Sequence, residues 1–305
     1  MDSKNSFKNI RSKYILKEIL NILRKKRLLQ LIKKNKNLQN ELNIGVNDYK
    51  EYYEQIEIEI IPNYEYIDFP FIRIPLKNEK YYHVYINDEE NEGEKKDFNK
   101  DDNIKKLKIV IDKEFKSFDF LFAHSEEIEK LKFIKFNRKD INDMNHMFYN
   151  CKNLKEIDLT NFKTNNVTNM EAMFKDCSSL KKLNLNSFNT LKVTNMNEMF
   201  LGCSSLIELN INNFNTKNVQ DMMNMFKGCS SLKELNLENF KTNSLKYMSD
   251  IFSECKSLRE LNINNFKTRG VTHRDRIFDG CPNKLRIKIF NKYKSKRDIT
   301  LWDYH

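Results

Sequence analysis

Apolar residues in the second half of the chain fall on a fixed grid. Phe148, Phe174, Phe200, Phe226, Phe252 and Phe278 stand 26 residues apart, and Leu154, Leu180, Leu206, Leu232 and Leu258 keep the same step. So do all six cysteines, Cys151, Cys177, Cys203, Cys229, Cys255 and Cys281. A fixed period of this length predicts a solenoid, in which each repeat is one supersecondary unit that buries its apolar face against its neighbours. In the repeat at 222–247, Leu235 and Leu237 alternate with Asn236, which predicts a short strand with one buried face. Residues 239–243 are turn chemistry around Phe240, and Met222, Met225 and Phe226 recur at i, i+3 and i+4, which predicts a short helical turn.

Shifting the pattern back by 26 places Phe118, Leu121, Phe122, Ile128, Leu131, Phe133, Phe136 and Ile141 on core positions, with Ser125 in the cysteine place. This is the expected N-terminal cap. At the other end Arg274 and Lys284 replace apolar residues and Pro282 follows the last cysteine, as a terminal repeat with a polar outer face requires. Leu232, Leu235 and Leu237 give the spacing L-x-x-L-x-L, and one such strand plus a helical turn per 26 residues is a leucine-rich-repeat signature. The expected fold is therefore an α/β solenoid, a leucine-rich-repeat-like array preceded by a small helical N-terminal module and a short β segment.

The run Val-Thr-Asn-Met-x-x-Met-Phe-x-x-Cys-Ser-Ser-Leu-x-x-Leu-Asn-Leu-x-x-Phe-x-Thr is almost intact at 167–190 and 193–216. It closely resembles the BspA-like leucine-rich repeats of surface proteins. That resemblance covers a little over half of the chain and implies non-catalytic binding or adhesion.

The first 55 residues carry a different pattern. Ile15, Leu16, Ile19, Leu20 and Leu23 line one face of a predicted helix with Ser12 as N-cap, and Leu28, Leu29, Leu31, Ile32 and Leu38 mark a second. Two such helices pack on each other or dock on a partner. The register Ile15-Leu16, Ile19-Leu20, Leu23, Leu28-Leu29, Leu31 also resembles, more weakly, an F-box. Arg11-Ser12 stands where that family has Leu-Pro, and Leu38 where it has Trp. The resemblance implies a ubiquitin-ligase adaptor as partner, with the chain as substrate-recognition subunit of a cullin-RING ligase. Next, Ile56, Ile58 and Ile60 alternate with Glu57 and Glu59, while Pro62, Pro70 and Pro75 break the following run into short strands. The expected division is a helical module at 1–55, a small β segment with an acidic loop at 56–103, the array with its caps at 104–290 and a basic tail at 291–305.

Charge is unevenly spread. Residues 1–50 hold 13 Lys and Arg against 4 Asp and Glu, while 86–103 hold 8 acidic residues against 3 Lys. The basic N-terminus could meet a nucleic acid or an anionic membrane, but no nucleic-acid motif accompanies it and a solvated helix face is the preferred reading. No apolar run approaches the about 18 residues of a membrane span, and residues 1–10 lack the apolar core of a signal peptide. A cytoplasmic or nuclear location with reduced thiols is expected.

The chemistry-bearing residues form no catalytic pattern. His83, His124, His146, His273 and His305 share no column, the cysteines lack the C-x-x-C pairing of zinc sites, and no nucleophile-elbow, zincin or phosphate-loop motif occurs. The cysteine, methionine and phenylalanine columns are expected to be core, with no metal and no cofactor. The expected function is a non-catalytic scaffold that binds a protein partner through the repeat surface. On the exposed strand positions the candidate contacts are Ile207, Lys233 and Arg259 in one column and Asn184, Asn210, Asn236 and Asn262 in another. The asparagine column either bonds to itself along the stack or meets the ligand. Neighbouring Lys and Glu are expected to neutralise one another, and the second docking surface is the face formed by Ile15, Leu16, Ile19, Leu20 and Leu23.

Overall fold

The computed structural model describes residues 33, 36–41, 45–63, 81–87, 103–112 and 118–295. The chain divides into two units, Met1–Gln55 and Ile56–His305. In the first, α1 spans Lys36–Glu41 and α2 spans Val46–Glu54. The predicted docking face at 15–23 lies outside the described residues. Helix α2 has few aliphatic positions, and so left no periodic signal in the sequence.

The second unit is mostly β. Strands β1 (Ile56–Pro62), β2 (Tyr82–Ile86), β3 (Leu107–Ile111), β4 (Ile128–Lys135) and β5 (Glu156–Asp158) form one sheet in the order β2-β3-β1-β4-β5. β1 pairs antiparallel with β3 on one side and with β4 on the other. The boundary expected at residue 103 therefore falls inside a sheet. The reason is local: Ile56, Ile58 and Ile60 are fully buried, and a strand buried in mid-sheet needs a partner on each edge. Glu57, on the same strand, is nearly buried between Lys108 at 3.4 Å and Lys135 at 3.9 Å.

From β4 onward the chain stacks in rungs. β4 with β5, β6 (Lys182–Asn184) with β7 (Glu208–Asn210), and β8 (Glu234–Asn236) with β9 (Glu260–Asn262) pair in parallel, each residue facing its equivalent 26 positions on. A second parallel ladder, one residue wide, joins Asp143, Asn169, Asn195, Asp221, Tyr247 and His273. The cap residues Phe118, Leu121, Phe122, Ile128, Leu131, Phe133, Phe136 and Ile141 are all buried, continuous with the core of the repeats.

The predicted helical turn is instead a run of tandem β-turns. The N–H groups of Met144, His146, Phe148 and Asn150 donate to the carbonyls of Asn169, Glu171, Met173 and Lys175 on the next rung, at 3.1, 2.8, 2.9 and 2.7 Å. The intervening N–H groups of Tyr149 and Cys151 fold back to His146 and Phe148 at 3.0 and 3.3 Å. A helix would spend every one of these donors within itself. Two residues per rung are left-handed, which a helix forbids. One series is His146, Ala172, Glu198, Asn224, Asp250 and Arg276, with φ from 50 to 57°. The other includes Gly202, Gly228 and Gly280; at Gly202 a Cβ would collide with Asp176 Oδ1. Met, Met and Phe at i, i+3 and i+4 point inward in either geometry, which is why their spacing misreads.

Three columns lock the rungs internally. Phenylalanine rings stack from Phe122 to Phe278 with centroids 5.4 to 5.9 Å apart. Each cysteine Sγ–H donates to a phenylalanine carbonyl 29 residues earlier, as Cys203 does to Phe174 at 3.1 Å. Buried threonines form the third column. Thr216 Oγ1 donates to the Lys241 carbonyl at 3.1 Å and accepts the Lys241 N–H at 2.8 Å, and Thr164, Thr190 and Thr242 repeat this arrangement. Thr216→Val should strand both backbone groups in the core and cost about 2 kcal/mol in a urea titration. Thr216→Ser keeps the hydroxyl and should cost about 1 kcal/mol or less.

Helix α3 (Asn283–Tyr293) closes the far end. It buries Leu285, Ile289 and Tyr293, and the Tyr293 hydroxyl donates to Asn264 Oδ1 at 3.0 Å. The tail expected from residue 291 thus begins inside a helix whose apolar face covers the last rung. No described helix is long and apolar enough to cross a membrane.

Candidate protein-binding surface

The short strands present one continuous outer face. Between flanking turns each contributes two outward positions, and the leucine or isoleucine between them points in, so every rung repeats the same polar-apolar-polar sequence. On this face a groove of ≈ 1250 Å³ runs over β1 and β4 to β8. Its floor includes Ile61, Leu131, Ile157, Leu183 and Leu209, and its walls include Glu59, Lys132, Lys181 and Glu234.

Of the strand-face candidates, Asn184, Ile207 and Asn210 line the groove. Lys233 and Asn236 on the β8 rung, and Arg259 and Asn262 on the β9 rung, continue the same columns beyond it. The asparagines neither bond to one another along the stack nor hang free. Asn184 Oδ1 accepts the N–H of Asn186 at 3.1 Å, and Asn236 Oδ1 that of Glu238 at 3.1 Å. Asn210 and Asn262 do the same two residues on, at 3.4 and 3.2 Å. Each is an Asx-turn that ends its strand, because a short side-chain acceptor reaches its own backbone more readily than the next rung. Asp158, first in the column, caps Thr160 likewise. Burial pushes the Asp158 carboxyl up, but the Thr160 hydroxyl and amide and the Lys132 ammonium outweigh it and hold the group below the usual range.

Charge on the face is largely cancelled between rungs. Lys130 meets Glu156 at 2.7 Å, Lys155 meets Glu129 at 3.5 Å, and Lys182 meets Glu208 at 2.6 Å. Lys181, Lys233 and Arg259 enter no ion pair among the described residues, and Ile207 stands between the first two, 44% exposed. The groove therefore combines an exposed apolar side chain, flanking cations that enter no ion pair among the described residues, and a shallow apolar floor. Sequence reasoning missed Glu59, Ile61, Lys130 and Lys132, which enter the groove because β1 and β4 share the sheet with β5. The alternation at 56–60 was the signal, but nothing in it named the partner strand.

Several ionisable groups of the face pair across rungs, and among the described residues no group of three His, Cys, Asp or Glu is arranged to hold a metal ion. The six thiols are free and buried, and burial pushes them up, that of Cys203 to about 12 and that of Cys281 to about 11.

No curated protein and no solved structure matches the chain. A family model does match, twice in tandem, over residues 116–208 and 205–303. The two matches begin at the N-terminal cap, run through every rung and take in the closing helix, together well over half of the chain. On that coverage the chain belongs to the family described as Mycoplasma protein of unknown function, DUF285.

Proposed function

We propose that this protein is a non-catalytic scaffold that binds a protein partner across the strand face of its repeats. The observation that carries the reading is Ile207, an apolar side chain exposed between unpaired Lys181 and Lys233 over the apolar floor of a groove. A repeat array with an exposed apolar contact among polar positions has the layout of an interaction surface, in which few residues supply most of the binding energy. The resemblance of the 26-residue unit to BspA-like leucine-rich repeats supports the same reading, since those repeats serve adhesion and binding.

The test is a crosslinking capture from cell extract with three forms of the full chain. Ile207→Glu with Lys233→Glu should remove the partner captured by the wild type, while Leu191→Glu, on another face, should retain it. Both substitutions lie at exposed positions and should leave the melt within about 0.5 kcal/mol. Equal capture by all three forms would exclude the strand face.

A further inference from the structure

The corner that follows each strand carries charge of one sign. From residue 159 to 272, the ten positions per rung between the strand and the second ladder contain Lys163, Lys192, Lys217, Lys241, Lys246 and Lys267, with Arg269 on the last rung. The only carboxylate at these positions is Glu238. All six lysines are exposed, and none forms an ion pair among the described residues; Lys192 Nζ donates to the amide oxygen of Asn166 at 2.5 Å. The other two sides of the rungs differ. The strand face is balanced by cross-rung pairs, and the tandem turns carry Glu171, Asp176, Glu198, Asp221, Asp250 and Glu254 against fewer cations.

The corner is also stiff. Phe162, Phe188, Phe214, Phe240 and Phe266 turn inward, and the threonine column bonds each corner to the next. With the inward positions taken by Phe, Thr and an aliphatic residue, the outward ones hold Lys, Asn and Thr. Rungs succeed one another at about 4.8 Å, so the cations are strung over about 19 Å along one corner, at four positions of the repeat.

From this we infer that the corner is a binding stripe for the phosphodiester backbone of a nucleic-acid duplex, read without regard to sequence. A row of exposed cations along one corner matches a linear polyanion, and amide and hydroxyl side chains between them are common partners of phosphate and sugar. The corner has no exposed aromatic ring on which an unpaired base could stack, so a duplex backbone fits better than a single strand. A membrane surface would call for several apolar side chains to insert, and Leu191, 40% exposed, stands alone in the stripe. An acidic peptide would call for side-chain pockets, and the groove that offers them lies on the strand face. The inference stands apart from the protein-partner reading and uses a different surface.

The test is fluorescence anisotropy of the full chain with a labelled mixed-sequence DNA duplex of about 24 base pairs, at about 50 to 200 mM salt. The wild type should bind with a steep salt dependence and bind a second duplex of unrelated sequence equally well. The variant K163E/K192E/K217E/K241E should bind at least about tenfold more weakly at the lower salt, with a log–log slope shallower by about 3, since each lost phosphate contact removes about 0.9. The control K155E/K181E/K182E/K233E makes the same change in net charge on the strand face and should retain most of the slope. The neutral quadruple Lys→Gln stripe variant decides the matter should the Glu variant fold poorly. Equal loss in stripe and control variants would reduce the effect to net charge and overturn the proposal. So would absence of duplex binding by the wild type, or loss of binding to phosphatidylserine vesicles in the stripe variant with duplex binding intact.

Discussion

Raising the pH from about 8 to about 10 is expected to unfold this protein cooperatively, through its buried thiols. Burial pushes the thiols up, Cys281 to about 11, Cys203 to about 12 and the others further. In the unfolded chain a thiol ionises near its ordinary value, about 8.5. Below that value both states hold the proton, and the thiols make stability independent of pH. Above it the unfolded chain releases protons that the stack retains, so unfolding becomes more favourable as pH rises. Each thiol contributes about 1 kcal/mol per pH unit once its unfolded form is ionised, and six act together. Several kcal/mol per pH unit is a large share of the about 5–15 kcal/mol by which a domain is stable. Tyr82, whose buried hydroxyl is also pushed up, acts in the same direction. Urea titrations at half-unit steps of pH should show the midpoint falling steeply above about pH 9, and Cys203→Ala should make that fall shallower by one proton. A midpoint flat to about pH 10 would mean that the thiols ionise inside the stack, and the account of the cysteine column would be wrong.

What the sequence disclosed and what it hid divide along physical lines. Columns of identical apolar residues were legible because a stack with one fixed period must place the same residue in the same environment on every rung. Phe174, Phe200 and Phe226 reveal register, rung and burial together, and the cap at 118–141 followed from the same shift. The tandem turns were not legible. A side chain at i, i+3 and i+4 reports which way it points, not whether its amide bonds within the rung or to the next. The threonine column was visible as a repeated Phe-x-Thr, but a hydroxyl residue carries no presumption of burial, and only the paired carbonyl and N–H explain it. The asparagines lie in the short strands where their column placed them, yet their acceptor oxygens are engaged by their own turns. The lysine stripe escaped column-by-column reading because its members occupy four different positions of the repeat: Lys163, Lys241 and Lys267 in one, and Lys192, Lys217 and Lys246 each in another. Stacking brings them to one corner, which no single column records.

Phe200→Ala is the single substitution expected to cost the most, about 3–5 kcal/mol, because it removes a fully buried ring that both neighbouring rungs rest on. Phe200 stacks on Phe174 at 5.9 Å and on Phe226 at 5.6 Å, with the rings within 17° of parallel. Its loss leaves a cavity whose walls are fixed by cross-rung hydrogen bonds and cannot close in on it. Phe278 is the informative contrast. It ends the column, stacking on Phe252 at 5.7 Å, and is slightly exposed where Phe200 is fully buried, so Phe278→Ala should cost distinctly less. A repeat array transmits stability through nearest neighbours. Phe200→Ala and Phe226→Ala should therefore couple by about 0.5–1.5 kcal/mol, whereas Phe174→Ala and Phe252→Ala, three rungs apart, should add within about 0.5 kcal/mol. Chemical unfolding of the five single variants and the two doubles measures both couplings and the contrast at Phe278. Additive behaviour of the adjacent pair, or equal costs at Phe200 and Phe278, would show that the rings merely fill volume and that the column does not bind rung to rung.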